Sequence, residues 1–172
     1  SRMENAGAGE VAAAVASALL RGARGNSGVI LSLIFRGVSK GLKGCREVDG
    51  VALANALQIG VEMAYGAVMK PTEGTILTVA RLASESAKRT ANTGADAIAV
   101  FNAACESAAK ALATTPELLP VLKKAGVVDA GGQGFVLILE GMRSVFNGSG
   151  IIDSTAGEAS PITAQHHGER KE

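Results

Sequence analysis

The 172-residue chain contains no tryptophan, one tyrosine and four phenylalanines, so aromatic residues make up 3% of it. A core without large rings has to be assembled from Ala, Val, Leu and Ile, and such small side chains suit helices that approach one another closely. Charge of one sign is also missing. Seventeen Lys and Arg against sixteen Asp and Glu leave a formal net charge of +1, which gives no electrostatic basis for binding nucleic acid or an anionic membrane surface. Cys45 and Cys105 lie far apart in the sequence and form neither a CxxC nor a Cys/His pair. They read as two buried free thiols of a reducing cytosol, against a disulfide or a metal site. No apolar run reaches the roughly 18 residues of a membrane span, and the N-terminus lacks the basic and apolar regions of a signal peptide. The expectation is a soluble, cytoplasmic protein. With 47% hydrophobic residues, a chain of this length can bury a substantial core, and one domain is the default.

Helical periodicity runs through most of the chain. Glu10 to Arg21 is Ala-rich and stops at Gly22. Leu53, Leu57, Val61, Ala64 and Val68 recur at spacings of four and three, as one face of a helix does, with Pro71 closing it. Ile76, Ala80, Ala83 and Ala87 form the next stripe, opposite Arg81, Glu85 and Lys88, and Ile98, Phe101, Cys105, Ala108 and Leu112 form another. Thr115-Pro116-Glu117 has the order of a helix start, with a hydroxyl cap, Pro at the first position and an acid in the first turn, and predicts a short helix over 116–124. Phe135, Ile138, Met142 and Val145 mark a last helix ending at Gly148. Val29 to Phe35 has a length that fits either a helix or a buried strand. Seven helices in series fit best, giving an all-α domain over 1–150, with the polar, aperiodic 151–172 a disordered linker or tail.

Three loops share a design of glycine plus a capping side chain at a helix start. The first is Gly-Ala-Arg-Gly-Asn-Ser-Gly at 22–28, where Asn26 or Ser27 is the expected N-cap of the helix that follows. Free N–H groups of that first turn, beside glycines and with the helix dipole behind them, make an anion pocket. An ordinary cap with nothing bound is the competing reading. It is not a P-loop, since no Lys follows the last glycine and no strand precedes Gly22. The second loop is Lys70 to Thr75 and the third Gly126 to Gly134. Strict up-and-down alternation sends the third loop to the opposite end. A 116–124 helix too short to span the bundle brings all three to one rim.

The stretches at 22–32 (Gly-Ala-Arg-Gly-Asn-Ser-Gly-Val-Ile-Leu-Ser), 69–79 (Met-Lys-Pro-Thr-Glu-Gly-Thr-Ile-Leu-Thr-Val) and 126–134 (Gly-Val-Val-Asp-Ala-Gly-Gly-Gln-Gly) resemble the three signature blocks of the nucleotide-binding domain of bacterial fatty acid kinases. That domain is itself similar to the ADP-binding subunit of dihydroxyacetone (glycerone) kinases. The resemblance covers roughly residues 8 to 150. It implies an antiparallel helical barrel, about seven of its eight helices present, with ATP or ADP bound across one end. It also implies transfer of phosphate to a fatty acid carboxylate presented by a fatty-acid-binding partner protein. By position it assigns Asn26, Ser27 and Gly28 to the phosphates, Thr75 and Ile76 to the base and ribose side, with Leu77 turned toward the barrel, and Asp129, Ala130 and Gly131 to a loop closing over the nucleotide. Asp129 and Thr75 read equally well as plain N-caps, and Arg24 is within reach of a phosphate but a lone Arg in a loop is more often solvated. Leu33 stands where relatives commonly carry Gln.

Relatives hold magnesium on an aspartate-rich segment after their first helix, and nothing in this sequence corresponds to it. Ser1-Arg2-Met3 looks like part of what would follow that segment. The chain therefore reads as a piece of a longer kinase, inactive alone because Mg2+ supplies much of the charge neutralisation in phosphoryl transfer, with no catalytic or metal residue of its own. A barrel short of one helix exposes apolar stripes on its neighbours, which predicts a homodimer or aggregation. A dihydroxyacetone kinase subunit and a non-catalytic helical interaction module are the alternatives. Arg-Gly-Asn-Ser-Gly and Val-Val-Asp-Ala-Gly-Gly favour the fatty acid branch.

Overall fold

A computed structural model describes residues 5–148, so the 151–172 tail of the sequence reading lies outside the described residues. Seven α-helices and no strand occur among them: α1 (Ala8–Gly22), α2 (Gly25–Gly41), α3 (Gly50–Ala67), α4 (Ile76–Ala91), α5 (Ala97–Leu118), α6 (Pro120–Ala125) and α7 (Ala130–Phe146). Helix α2 absorbs the ambiguous Val29–Phe35 run. Short connections make sequential helices antiparallel. Gly41 lies against Ala56 and Gly60 against Ile34 across α2 and α3. Lys88 meets Gln58, and Arg81 meets Tyr65, across α3 and α4. The Ser107 hydroxyl donates to the Leu82 carbonyl across α4 and α5.

Small residues let these helices approach. A Cβ on Gly60 would come 2.6 Å from the Ile34 carbonyl oxygen, and one on Gly41 would come 2.7 Å from the Ala56 Cα, so backbone rests on backbone where α2 crosses α3. Ala54, Ala64, Ala80, Ala83, Ala87, Ala104, Ala108 and Ala111 fill the core around Ile34, Val79, Val100, Phe101, Phe135 and Leu139. This is the packing a chain poor in aromatics requires. Phe101 and Phe146 meet edge to face at 5.1 Å. Helix α1 packs on α2 and buries little besides Gly9 and Ala16. It is tied down where the Ala8 and Gly9 amides donate to the Arg46 and Cys45 carbonyls at 3.1 and 2.9 Å.

Two sequence expectations are corrected. Pro116 does not open a helix, because α5 runs through it to Leu118 and Pro120 takes the first position of α6. A proline inside a helix leaves the carbonyl four residues back without its N–H. Here that carbonyl belongs to Leu112, and the Thr115 hydroxyl donates to it at 2.7 Å, so the helix continues. Ile98, expected on the buried stripe, lies exposed in the first turn of α5.

Candidate functional site

The C-terminal ends of α1, α3 and α5 and the N-terminal ends of α2, α4 and α7 gather at one end of the bundle. Helix α6 has six residues and does not span the bundle, so the chain leaving α5 turns back into α7 on the same side. The three glycine-bearing segments therefore share one rim.

The first segment differs from its expected form. Asn26 and Ser27 are not N-caps: α2 starts at Gly25, its N-cap is Arg24 in extended conformation, and no side chain caps it. Gly25 has φ +63°, the left-handed region that glycine enters freely. That turn lets the helix begin early and places Asn26 and Ser27 within its exposed first turn. Arg24 folds back, donating from Nη1 to the Ala23 and Arg21 carbonyls at 2.8 and 3.4 Å, which satisfies the end of α1. The N-termini of α3, α4, α5 and α7 are each capped by a side chain, Asp49, Thr75, Asp96 and Asp129. At the rim, α2 alone of the three starting helices keeps its first-turn N–H groups without such a cap.

The third segment stands beside the first. Asp129 caps α7, its Oδ2 accepting from the Gly132 amide at 2.7 Å. Ala130 is exposed in the first turn. Gly131 faces α2: a Cβ there would sit 2.7 Å from the Ser27 Oγ and 3.3 Å from the Asp129 Oδ2. Gly132 seats α7 in the core, where a Cβ would press to 3.0 Å on Val79 and 3.2 Å on Leu112. The structure thus brings Ser27, Asp129 and Gly131 together.

Fully buried Thr115 joins the third segment to α5, its Oγ1 accepting from the Asp129 amide at 3.1 Å. Gly74, at φ +80°, fits the second segment beneath the same stretch. A Cβ there would lie 2.9 Å from the Leu119 Cβ and 3.1 Å from the Thr115 carbonyl. Thr75 caps α4, accepting from the Leu77 amide at 3.3 Å and donating to the Thr72 carbonyl at 2.7 Å. Ile76 is buried in the core, as Leu77 is, so at the rim it presents backbone.

Next to Thr75 lies a polar cluster. The Glu73 carboxylate accepts from Thr78 Oγ1 at 2.7 Å, Arg81 Nη2 at 2.9 Å and Tyr65 Oη at 3.0 Å. Burial pushes the Glu73 carboxyl up, but these hydrogen bonds outweigh it and hold it below its ordinary value. Burial, opposed by Arg81, raises the Tyr65 hydroxyl, and the Glu73 bond holds the Arg81 guanidinium still more firmly charged. The sequence reading did not name this cluster, and it named Thr115 only as the hydroxyl cap of a helix opening at Pro116. Thr immediately before an in-helix Pro was an available signal for Thr115. The spacings of Tyr65, Glu73, Thr78 and Arg81 carry none, because the loop geometry alone brings them together.

The DAK2 domain model matches residues 1–144. The chain belongs to the DAK2 domain family. A DAK2 domain is a relative of the dihydroxyacetone kinases and as a family binds nucleotides of the ADP and ATP type. The Bacillus subtilis protein YloV is 45% identical over 168 residues, 96% of this chain and 30% of that protein. An uncharacterised Staphylococcus aureus protein is 46% identical over 143 residues, 83% of this chain and 26% of that protein. The chain thus spans less than a third of the length of these relatives.

Among the described residues of this DAK2 domain, no group of three or more His, Cys, Asp or Glu could hold a metal ion. Asp129 is engaged as a cap and Glu73 is held by three donors. The described residues thus supply no all-protein oxygen cage for magnesium. No helix among them is long and apolar enough to cross a membrane.

Proposed function

We propose that this domain binds ATP or ADP at the rim for a kinase that phosphorylates a fatty acid carboxylate presented by a separate acyl-binding protein, giving an acyl phosphate. One observation carries the nucleotide part. The uncapped first turn of α2 meets the first turn of α7, with Ser27 Oγ beside the space that Gly131 leaves by having no side chain. Two helix N-termini directing N–H groups and positive dipole ends at one place suit a run of phosphates, and the missing Cβ lets backbone come close.

In this reading Asn26, Ser27 and Gly28 hold phosphate oxygens by backbone and side-chain donors. Thr75 and the backbone of Ile76 border the base and ribose, and Asp129 to Gly131 close over the nucleotide. These groups position and neutralise, which is most of what a protein contributes to phosphoryl transfer. The fatty acid acceptor rests on the resemblance of the 22–32 and 126–134 blocks to that branch of the family.

The test is made with the longer protein that carries this domain, given ATP, magnesium and either an acyl-loaded binding protein or dihydroxyacetone. Hydroxylamine trapping should reveal acyl phosphate in the first mixture as the hydroxamate, and phosphorus NMR should reveal no phosphorylated ketone in the second. Turnover of dihydroxyacetone would transfer the domain to the other branch. Turnover of neither, with nucleotide bound normally, would leave a non-catalytic module. Because the described residues supply no metal shell, this chain alone should give no acyl phosphate.

A further inference from the structure

Residues 68–75 cross from α3 to α4 with few backbone bonds to hold them. The Val68 amide donates to the Tyr65 carbonyl at 3.3 Å, and the next anchors are side chains. Glu73 draws donors from both flanking helices: Tyr65 Oη from α3, and Thr78 Oγ1 and Arg81 Nη2 from α4. The donors are themselves linked, since Arg81 Nε donates to Tyr65 Oη at 3.2 Å and Arg81 Nη1 to Glu85 at 3.0 Å. The Thr78 hydroxyl gives its proton to Glu73 and accepts from the Gly74 amide at 2.8 Å. One carboxylate therefore fixes, through Thr78, the backbone of the residue before Thr75. On the other side Gly74 is pressed under Leu118, Leu119 and Thr115.

Such an arrangement contributes little to global stability. The Glu73 and Arg81 side chains keep 47% and 37% of their surface in water, and exposed ion pairs add little to folding free energy. Its geometric effect is larger, because without Glu73 the turn keeps the Thr75 hydroxyl on the Thr72 carbonyl and the Gly74 amide on a Thr78 hydroxyl that no carboxylate then orients.

We infer that Glu73 is a positioning residue for the nucleotide rim, setting the Gly74–Thr75 turn against α5 through its three side-chain donors. The inference rests on the nucleotide reading above and extends it to a residue that does not touch the ligand. Arg81 and Tyr65 act through Glu73, so the effect of each passes by that carboxylate.

The experiment compares ADP affinity by calorimetry in the wild-type chain and in the Glu73→Gln, Tyr65→Phe and Glu85→Gln variants. Melting temperature and Gly74 amide exchange are measured alongside. Glu73→Gln should weaken ADP at least tenfold and speed Gly74 exchange, with the melting temperature within a few degrees of wild type. Tyr65→Phe removes one of three donors and should weaken ADP a few-fold, which keeps the test open if Glu73→Gln folds poorly. Glu85→Gln breaks the other ion pair of Arg81 and should leave affinity unchanged. Wild-type affinity in Glu73→Gln, or an equal loss in Glu85→Gln, would overturn the inference while the nucleotide reading stands. Absence of ADP binding by the wild-type chain would overturn both.

Discussion

Thr115→Val removes one hydroxyl and keeps the shape of the side chain. The residue is fully buried, and its Oγ1 donates to the Leu112 carbonyl at 2.7 Å while accepting from the Asp129 amide at 3.1 Å. Pro116 has no N–H to offer Leu112, so valine leaves a carbonyl and an amide without these partners in a partly buried place. Each orphaned group costs about 1–3 kcal/mol, and the two together about 2–6 kcal/mol. At roughly 2–4 °C per kcal/mol for a domain of this size, the melting temperature should fall by about 4–24 °C. Urea unfolding followed by circular dichroism should show a lower midpoint with an unchanged slope. Thr115→Ser is the control, keeping the hydroxyl and losing a methyl worth about 1 kcal/mol. Valine as stable as wild type, or serine as damaging as valine, would refute the claim that the hydroxyl carries α5 through Pro116 and anchors α7.

Ser27 is not a cap, so Ser27→Ala should leave the melting temperature within a degree or two while ADP affinity falls about tenfold, as loss of a hydrogen bond of about 1.5–3 kcal/mol to a charged acceptor requires; unchanged affinity in calorimetry would remove Ser27 from the site. Gly131→Ala gains about 1 kcal/mol of helix propensity but drives a methyl to within 2.7 Å of Ser27 Oγ. Stability should change little and ADP affinity should drop, and a variant that binds ADP normally would show that α2 and α7 do not close on the ligand together. Burial, with the nearby Glu140 charge, pushes the Cys105 thiol up to about 11. At pH 8 iodoacetamide should therefore modify half-buried Cys45 in the native protein and spare Cys105 until urea unfolds it, by mass spectrometry; equal labelling of both would contradict the packing of α5 on α7.

Helix number and class were legible because each stripe of small apolar residues repeats at helical spacing, as Ile76, Ala80, Ala83 and Ala87 do, and all four are buried. Helix ends were less so. Asn26 and Ser27 have the chemistry of caps, but Gly25 can enter the left-handed region and moved the start upstream. Thr115-Pro116-Glu117 has the order of a helix start, yet a buried hydroxyl replaced the missing proline bond and α5 ran on. Local sequence states what a turn permits, and packing chooses among the permitted turns. The convergence of the three glycine-bearing segments followed from α6 being too short to cross the bundle, an inference available from residue counts. The contact of Gly131 with Ser27 and the Glu73 cluster depend on distances between segments far apart in the chain, which no spacing rule encodes.

Amide NMR of the isotopically labelled chain during titration with ADP reads out whether the first turns of α2 and α7 form one phosphate site. Saturable shifts should concentrate at Gly25 to Gly28 and Ala130 to Gly132, with smaller ones at Gly74 to Leu77 and none at the opposite end around Gly50 and Asp96. Shifts confined to that opposite end, or to one of the two helix starts alone, would contradict that site.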